Sequence, residues 1–183
     1  MTFIESETIE LKSSVVADLC KEVIAFANTR GGTLYIGVED NGTVIGVDSA
    51  DRVTLQINNM VRDSIKPDIT MFVHYETQVI DDKQIIAVTV QEGTDRPYYL
   101  GSKGLKPSGV YVRNGTSTDP ASDTAIRKMI KETDGDSFET MRSLEQNLSF
   151  QAAEAQFAKR KVPYDAAKMQ TLGMVSSDDI YSN

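Results

Sequence analysis

Glu22-Val-Ile-Ala-Phe-Ala-Asn-Thr-Arg-Gly-Gly-Thr-Leu-Tyr-Ile-Gly-Val-Glu-Asp-Asn-Gly-Thr-Val-Ile-Gly46 contains a helix end, a strand, a tight turn and a second strand in 25 residues. Upstream and into it, Val16, Leu19, Cys20, Val23 and Ala27 recur at the spacing of one helix face. Gly31 and Gly32 predict the stop, because glycine takes the left-handed C-cap conformation without a Cβ penalty. Thr33–Val38 then alternates, with Leu34, Ile36 and Val38 to one face and Tyr35 and Gly37 to the other. Asp40-Asn41-Gly42 predicts a hairpin whose two turn residues accept positive φ. Val44, Ile45 and Val47 supply the return strand.

Working outward, Thr8–Lys12 alternates as a short strand, with Ile9 and Leu11 inward and Thr8, Glu10 and Lys12 outward. Ser13-Ser14 offers an N-cap for the helix that follows. Strand, helix, strand suggests a βαβ unit. Asp48-Ser49 caps a second helix with Val53, Ile57, Met60, Val61 and Ile65 as its buried stripe, ended by Lys66-Pro67. A long hairpin follows, Met71–Ile80 and Gln84–Gln91, turning at Asp81-Asp82. Residues 96–109 are rich in glycine and proline and read as a loop. Val110–Arg113 is one more strand, and Pro120 leads into a helix containing Ala125, Ile126, Met129 and Ile130. The expected class is α/β (α+β), a mixed sheet flanked by helices. A boundary at Asp134 divides a domain of residues 1–134 from a short helical C-terminal extension, 135–183, with Leu148, Phe150, Ala153 and Phe157 as its apolar face.

The central stretch from Phe26 to Gly42, together with Glu5-Ser6, Glu10-Leu11-Lys12 and the closing Arg113-Asn-Gly-Thr-Ser-Thr-Asp-Pro-Ala-Ser122, resembles the Schlafen AlbA_2 domain. The likeness spans about Thr2 to Lys131. Prokaryotic members of that family, formerly labelled divergent AAA, carry the name of DNA-binding or transcriptional-regulator modules. The resemblance therefore implies an AlbA_2-like fold and a nucleic-acid partner. In such proteins the C-terminal segment often leads to further domains. The zinc element between the paired lobes of Schlafen proteins has no counterpart here, so a two-lobed clamp implies a homodimer.

In Schlafen proteins that cleave transfer RNA, three carboxylates lie where Glu5, Glu10 and Asp40 match the motifs. The resemblance implies that this trio holds Mg²⁺ or Mn²⁺ for a divalent-metal-dependent endoribonuclease, with Lys12 against phosphate. Glu39 competes with Asp40 for the third place. Five residues along a continuous strand puts Glu5 and Glu10 on opposite faces, so a shared ion needs a bend between them. Asp40 is also what a turn favours for its own sake. Metal site and solvated turn both stay open on the sequence.

A second group is basic and aromatic. Arg96, Lys103, Lys106 and Arg113 alternate with Tyr98, Tyr99 and Tyr111, and Thr116 and Ser117 add hydroxyl donors, a pattern suited to phosphate contact and base stacking. The bland alternative is a solvated hairpin whose tyrosines cover the core edge. No Gly-x4-Gly-Lys-Ser/Thr supports a nucleotide-triphosphatase.

The chain has 183 residues, 40% of them hydrophobic and 25% charged, the balance of a globular protein. Its net charge of −8 opposes bulk attraction to nucleic acid, so any such contact depends on a local basic surface. One cysteine and one histidine exclude an intrachain disulfide and a Cys/His zinc site. No apolar run reaches the ~18–20 residues of a membrane span, and the first residues lack a signal peptide's pattern, so the expected compartment is cytoplasmic. The leading reading is a nucleic-acid-binding module of a transcriptional-regulator-like protein, either DNA-binding or RNA-binding. The nuclease and a protein-interaction adaptor are the alternatives.

Overall fold

Ile9–Lys12 (β1) and Gly32–Ile36 (β2) pair in parallel, from Ile9 opposite Thr33 to Lys12 opposite Ile36, and helix Leu19–Ala27 (α1) joins them. The structure is a computed structural model and describes residues 3–133, 150–162 and 165–171. Helix Ala50–Ser64 (α2) follows, then the short strand Ile65–Lys66 (β3) and the hairpin Val73–Ile80 (β4) and Lys83–Val90 (β5). β5 pairs antiparallel with both β2 and β4, giving a four-stranded mixed sheet of order β1-β2-β5-β4. Tyr99–Leu100 (β6) pairs with β3, and Tyr111–Asn114 (β7) pairs with Ser117–Pro120 (β8). Helix Asp123–Thr133 (α3) closes this part.

The class is the mixed α/β one that the sequence predicts. The central helix begins later than its stripe suggested. Asp18 is its N-cap, and Ser13-Ser14 lies in the preceding loop, with Val16 outside the helix and 37% exposed. Gly31, at φ +74, donates its N–H to the Phe26 carbonyl at 2.9 Å and ends the helix as expected. Ser49 caps α2 and accepts from the Arg52 N–H.

Both sheet faces are covered near β1 and β2. On one, Leu34, Ile36, Ile86 and Val88 meet Leu19, Val23, Ile24 and Phe26 of α1 and Ile57 and Val61 of α2. On the other, Phe3 packs with Leu11, Val38 and Ile85, its ring edge-on to Tyr35 with centroids 4.8 Å apart. Val38 breaks the predicted alternation by crossing to the face opposite Ile36. Gly37, at φ +96, makes that reversal between them.

Three local expectations are corrected. Asp40 and Asn41 do not take positive φ; Gly42 does, at +84, and Asn41 Oδ1 accepts from the Thr43 N–H at 2.8 Å. The turn with two positive-φ residues is Asp81-Asp82. The return strand at Val44–Val47 reduces to one bridge, Val38 to Val44. Glu10 is 5% exposed, so it does not face solvent.

Asn28 binds three backbone groups at once. Its Nδ2 donates to the Tyr98 and Tyr111 carbonyls, both at 2.9 Å, and its Oδ1 accepts from the Tyr98 N–H at 2.7 Å. These bonds seat residues 98–111 against the end of α1.

The chain divides into two units, Met1–Thr133 and Asp134–Asn183. In the second, helices Gln151–Lys159 (α4) and Ala166–Thr171 (α5) are described. The part of the expected helical extension before residue 150, Leu148 included, lies outside the described residues. Among the described residues no helix is long and apolar enough to cross a membrane.

Candidate functional site

The chain bends before β1. Ser6 and Ile9 form an isolated bridge, with Ser6 N–H to the Ile9 carbonyl at 3.0 Å. The reversal brings Glu5 back over the strand, where its Oε1 accepts from the Leu11 N–H at 3.4 Å. Glu5 and Glu10 thus meet, through the bend their spacing requires. Burial, then the charge of Glu10, pushes the Glu5 carboxyl pKa up, against the pull of the Leu11 N–H and Lys12.

Glu10 sits between two cations. Lys12 Nζ binds its Oε1, and Arg113 Nη1 reaches its Oε2 at 2.8 Å. Burial works against the Lys12 charge, but Glu10 and then Glu22 and Glu5 outweigh it and raise the ammonium pKa. The Arg113 side chain has no exposed surface. Its Nη1 also donates to Glu22 Oε2 at 3.2 Å and to Thr118 Oγ1 at 3.0 Å. Nη2 and Nε donate to the Ser6 and Glu7 carbonyls at 2.8 and 3.3 Å. The guanidinium carbon lies 4.9 Å from the centre of the Phe26 ring. Thr118 donates its hydroxyl to Glu22, whose carboxyl pKa burial raises.

These contacts decide whether the trio suits a divalent ion. A metal needs free carboxylate oxygens converging on one point. Both Glu10 oxygens are engaged by cations, and Asp40 is exposed in the turn that lines a shallow concavity with Ser13, Glu39 and Asn41. Among the described residues no three His, Cys, Asp or Glu side chains come together as a metal site. Glu5, Glu10 and Asp40 as arranged do not fit Mg²⁺ or Mn²⁺. Lys12 is held by Glu10 and is not poised for phosphate.

The basic group also divides. Arg113 is interior, as described, and is corrected from a phosphate contact to a buried junction. Tyr98 is fully buried and packs edge-on to Phe72 at 6.5 Å, so it offers no stacking face. Arg96 is held by Glu92 at 2.8 Å and Glu132 at 4.0 Å. Tyr99 is half-buried against Val110, Ile126 and Met129. Lys103 and Lys106 are exposed, as are Thr116 and Ser117 at the β7–β8 turn. Neither lysine has an ion pair or a side-chain hydrogen bond among the described residues. The loop presenting them is held by its own backbone: the Lys103 and Gly104 N–H groups donate to the Leu100 carbonyl at 2.9 Å, and the Gly109 and Val110 N–H groups donate to the Lys106 carbonyl.

Glu22, Thr118 and Asn28 escaped sequence reasoning. Glu22 stands next to Val23 of the apolar stripe and looks like any acidic residue near a helix start. Only its partner, 91 residues downstream, gives it a role.

The family model described as "Schlafen, AlbA_2" matches residues 5–122. Among solved structures, the DIP2311 protein of Corynebacterium diphtheriae has 16% identity and a TM-score of 0.53, covering 96% of this chain. This chain spans 34% of that one. The N-terminal domain of an ATP-dependent DNA helicase RecG-related protein from Nitrosomonas europaea has 29% identity and a TM-score of 0.48, covering 62% of this chain and 82% of its own. No curated protein matches.

Proposed function

Because the chain belongs to the Schlafen AlbA_2 family, we propose that it is a nucleic-acid-binding module of a regulatory protein, gripping the phosphate backbone with the loop at Lys103 and Lys106. One observation carries the reading. These two ammonium groups are exposed and unpaired on a loop fixed by its own hydrogen bonds. A lysine already held by a carboxylate would have to break that pair to reach a phosphate; these two do not. Ser102 and Ser108 are exposed beside them and add hydroxyl donors. The net charge of −8 makes the contact local, so binding is weak in high salt and set by this loop.

The test is binding of fluorescent single-stranded RNA and duplex DNA at low ionic strength, followed by a salt titration. Replacing both Lys103 and Lys106 by Glu should weaken binding about tenfold or more. It should also reduce the slope of log affinity against log salt by roughly 0.7–0.9 for each phosphate that the loop no longer neutralises. Absence of salt-sensitive binding by the unaltered chain, to either nucleic acid, overturns the proposal.

A further inference from the structure

At the carboxyl ends of the parallel strands β1 and β2 lies a second feature, which the basic loop does not use. A cavity of about 320 Å³ is lined by Ser13, Ser14 and Val15 after β1, by Ile36 at the end of β2, by Gly46, Val47 and Asp48, and by Arg52, Val53 and Gln56 of α2. Cavities of about 300 Å³ and above are the size that holds small molecules. The wall chemistry is mixed. Val15, Ile36, Val47 and Val53 are apolar, whereas Ser13, Ser14, Asp48, Arg52 and Gln56 are exposed at its open side, with side chains that have no hydrogen-bond or ion-pair partner among the described residues.

We infer that this cavity binds a nucleoside monophosphate, with Arg52 on the phosphate and Asp48 on the ribose hydroxyls. The lining selects among ligand classes. A simple anion would use Arg52 but leave the Asp48 carboxylate and the apolar wall without a counterpart. An apolar ligand would use neither charge and neither serine hydroxyl. A ligand with one anionic group, vicinal hydroxyl donors and a flat apolar body matches all three parts of the wall. The two hydroxyls and the Gln56 amide remain to read the phosphate oxygens and the base edge. The nucleotide is either free or the 5′-phosphorylated end of a chain; its chemistry at the site is the same. The site is separate from Lys103 and Lys106 in its residues, so this inference and the nucleic-acid reading fail independently.

The experiment is a titration of the whole chain with adenosine monophosphate, followed by calorimetry or by amide chemical shifts. Saturable binding is expected. Arg52→Gln should weaken it roughly tenfold or more while leaving the weaker binding of adenosine unchanged. Asp48→Asn should weaken adenosine monophosphate and ribose 5-phosphate alike, and Val53→Trp, which fills the cavity, should abolish binding. Arg52 is exposed and its side chain is partnerless, so Arg52→Gln should keep the unaltered melting temperature. A variant with Lys103 and Lys106 both changed to Glu should bind adenosine monophosphate normally. Competition by a 5′-phosphorylated tetranucleotide identifies a chain end as the source; its failure to compete identifies the free nucleotide. No saturation by about 5 mM ligand, or binding unchanged in both Arg52→Gln and Val53→Trp, overturns the inference.

Discussion

A guanidinium with no exposed surface must find all its partners inside the protein, and Arg113 finds them on four segments: the bend at Ser6–Glu7, Glu10 of β1, Glu22 of α1 and Thr118 of β8. Removing it leaves Glu10 with Lys12 alone, leaves Glu22 with only the Thr118 hydroxyl, and takes this donor from the Ser6 and Glu7 carbonyls. Arg113→Met should therefore lower the unfolding free energy by about 3–5 kcal/mol in a denaturant titration, the cost of removing one partner from a buried ion pair. A loss under about 1 kcal/mol, the size of an exposed pair, would mean the junction bears little of the fold. Glu5 makes stability depend on pH. Its folded pKa is raised, so the folded state holds its proton more tightly than the unfolded chain, whose ordinary value is 4.5. The stabilisation is complete below that value and is lost as pH rises through the folded pKa. Glu5→Gln, neutral throughout, should gain melting temperature relative to the unaltered chain as pH rises from about 4 to about 7. A difference that stays flat across that range contradicts the raised pKa.

Among the elements, legibility followed local pattern. The β4–β5 hairpin was readable because Ile85–Val88 is a dense apolar run beside a turn-forming Asp pair, and α2 because Ser49 and the stripe at Ile57 and Val61 agree. The start of α1 differs from its expected place because Val16 continues the helical spacing by coincidence, and spacing does not report where capping begins. Strand β8 went unseen because Ser117–Pro120 carries no apolar alternation; its pairing with β7 creates it. The candidate site was legible in type but not in geometry. Glu10, Lys12 and Arg113 stand out in the sequence as chemically loaded residues, yet the pairing of Arg113 with Glu10 spans 103 positions and no local pattern carries it. Gly37 tests the link between turn and core. Its φ of +96 is hostile to a side chain, and an added Cβ would lie 3.0–3.2 Å from Gly46 backbone atoms. Gly37→Ala should cost about 1–3 kcal/mol by thermal unfolding, through strain and through displacement of Val38 from its packing with Leu11 and Ile85. An unchanged melting temperature would separate the reversal from the core.

For the whole molecule, the acidic total and the exposed lysines are compatible because charge is distributed, not averaged. Carboxylates such as Glu10 and Glu22 direct their charge to Arg113 inside, while Lys103 and Lys106 keep theirs at the surface. The three-way grip of Asn28 has a further consequence, for the order in which the chain comes together. Asn28 is separated from its partners by 70 and 83 positions, and Arg113 from Ser6 by 107. Loop-closure entropy is met before such distant pairings return any stability, which slows folding as sequence separation rises. During synthesis the N-terminus emerges first. The segment carrying β1, α1 and β2 then lacks the residues that satisfy its buried polar groups until Arg113 and Thr118 have left the ribosome, so this domain completes itself only near the end of its own translation.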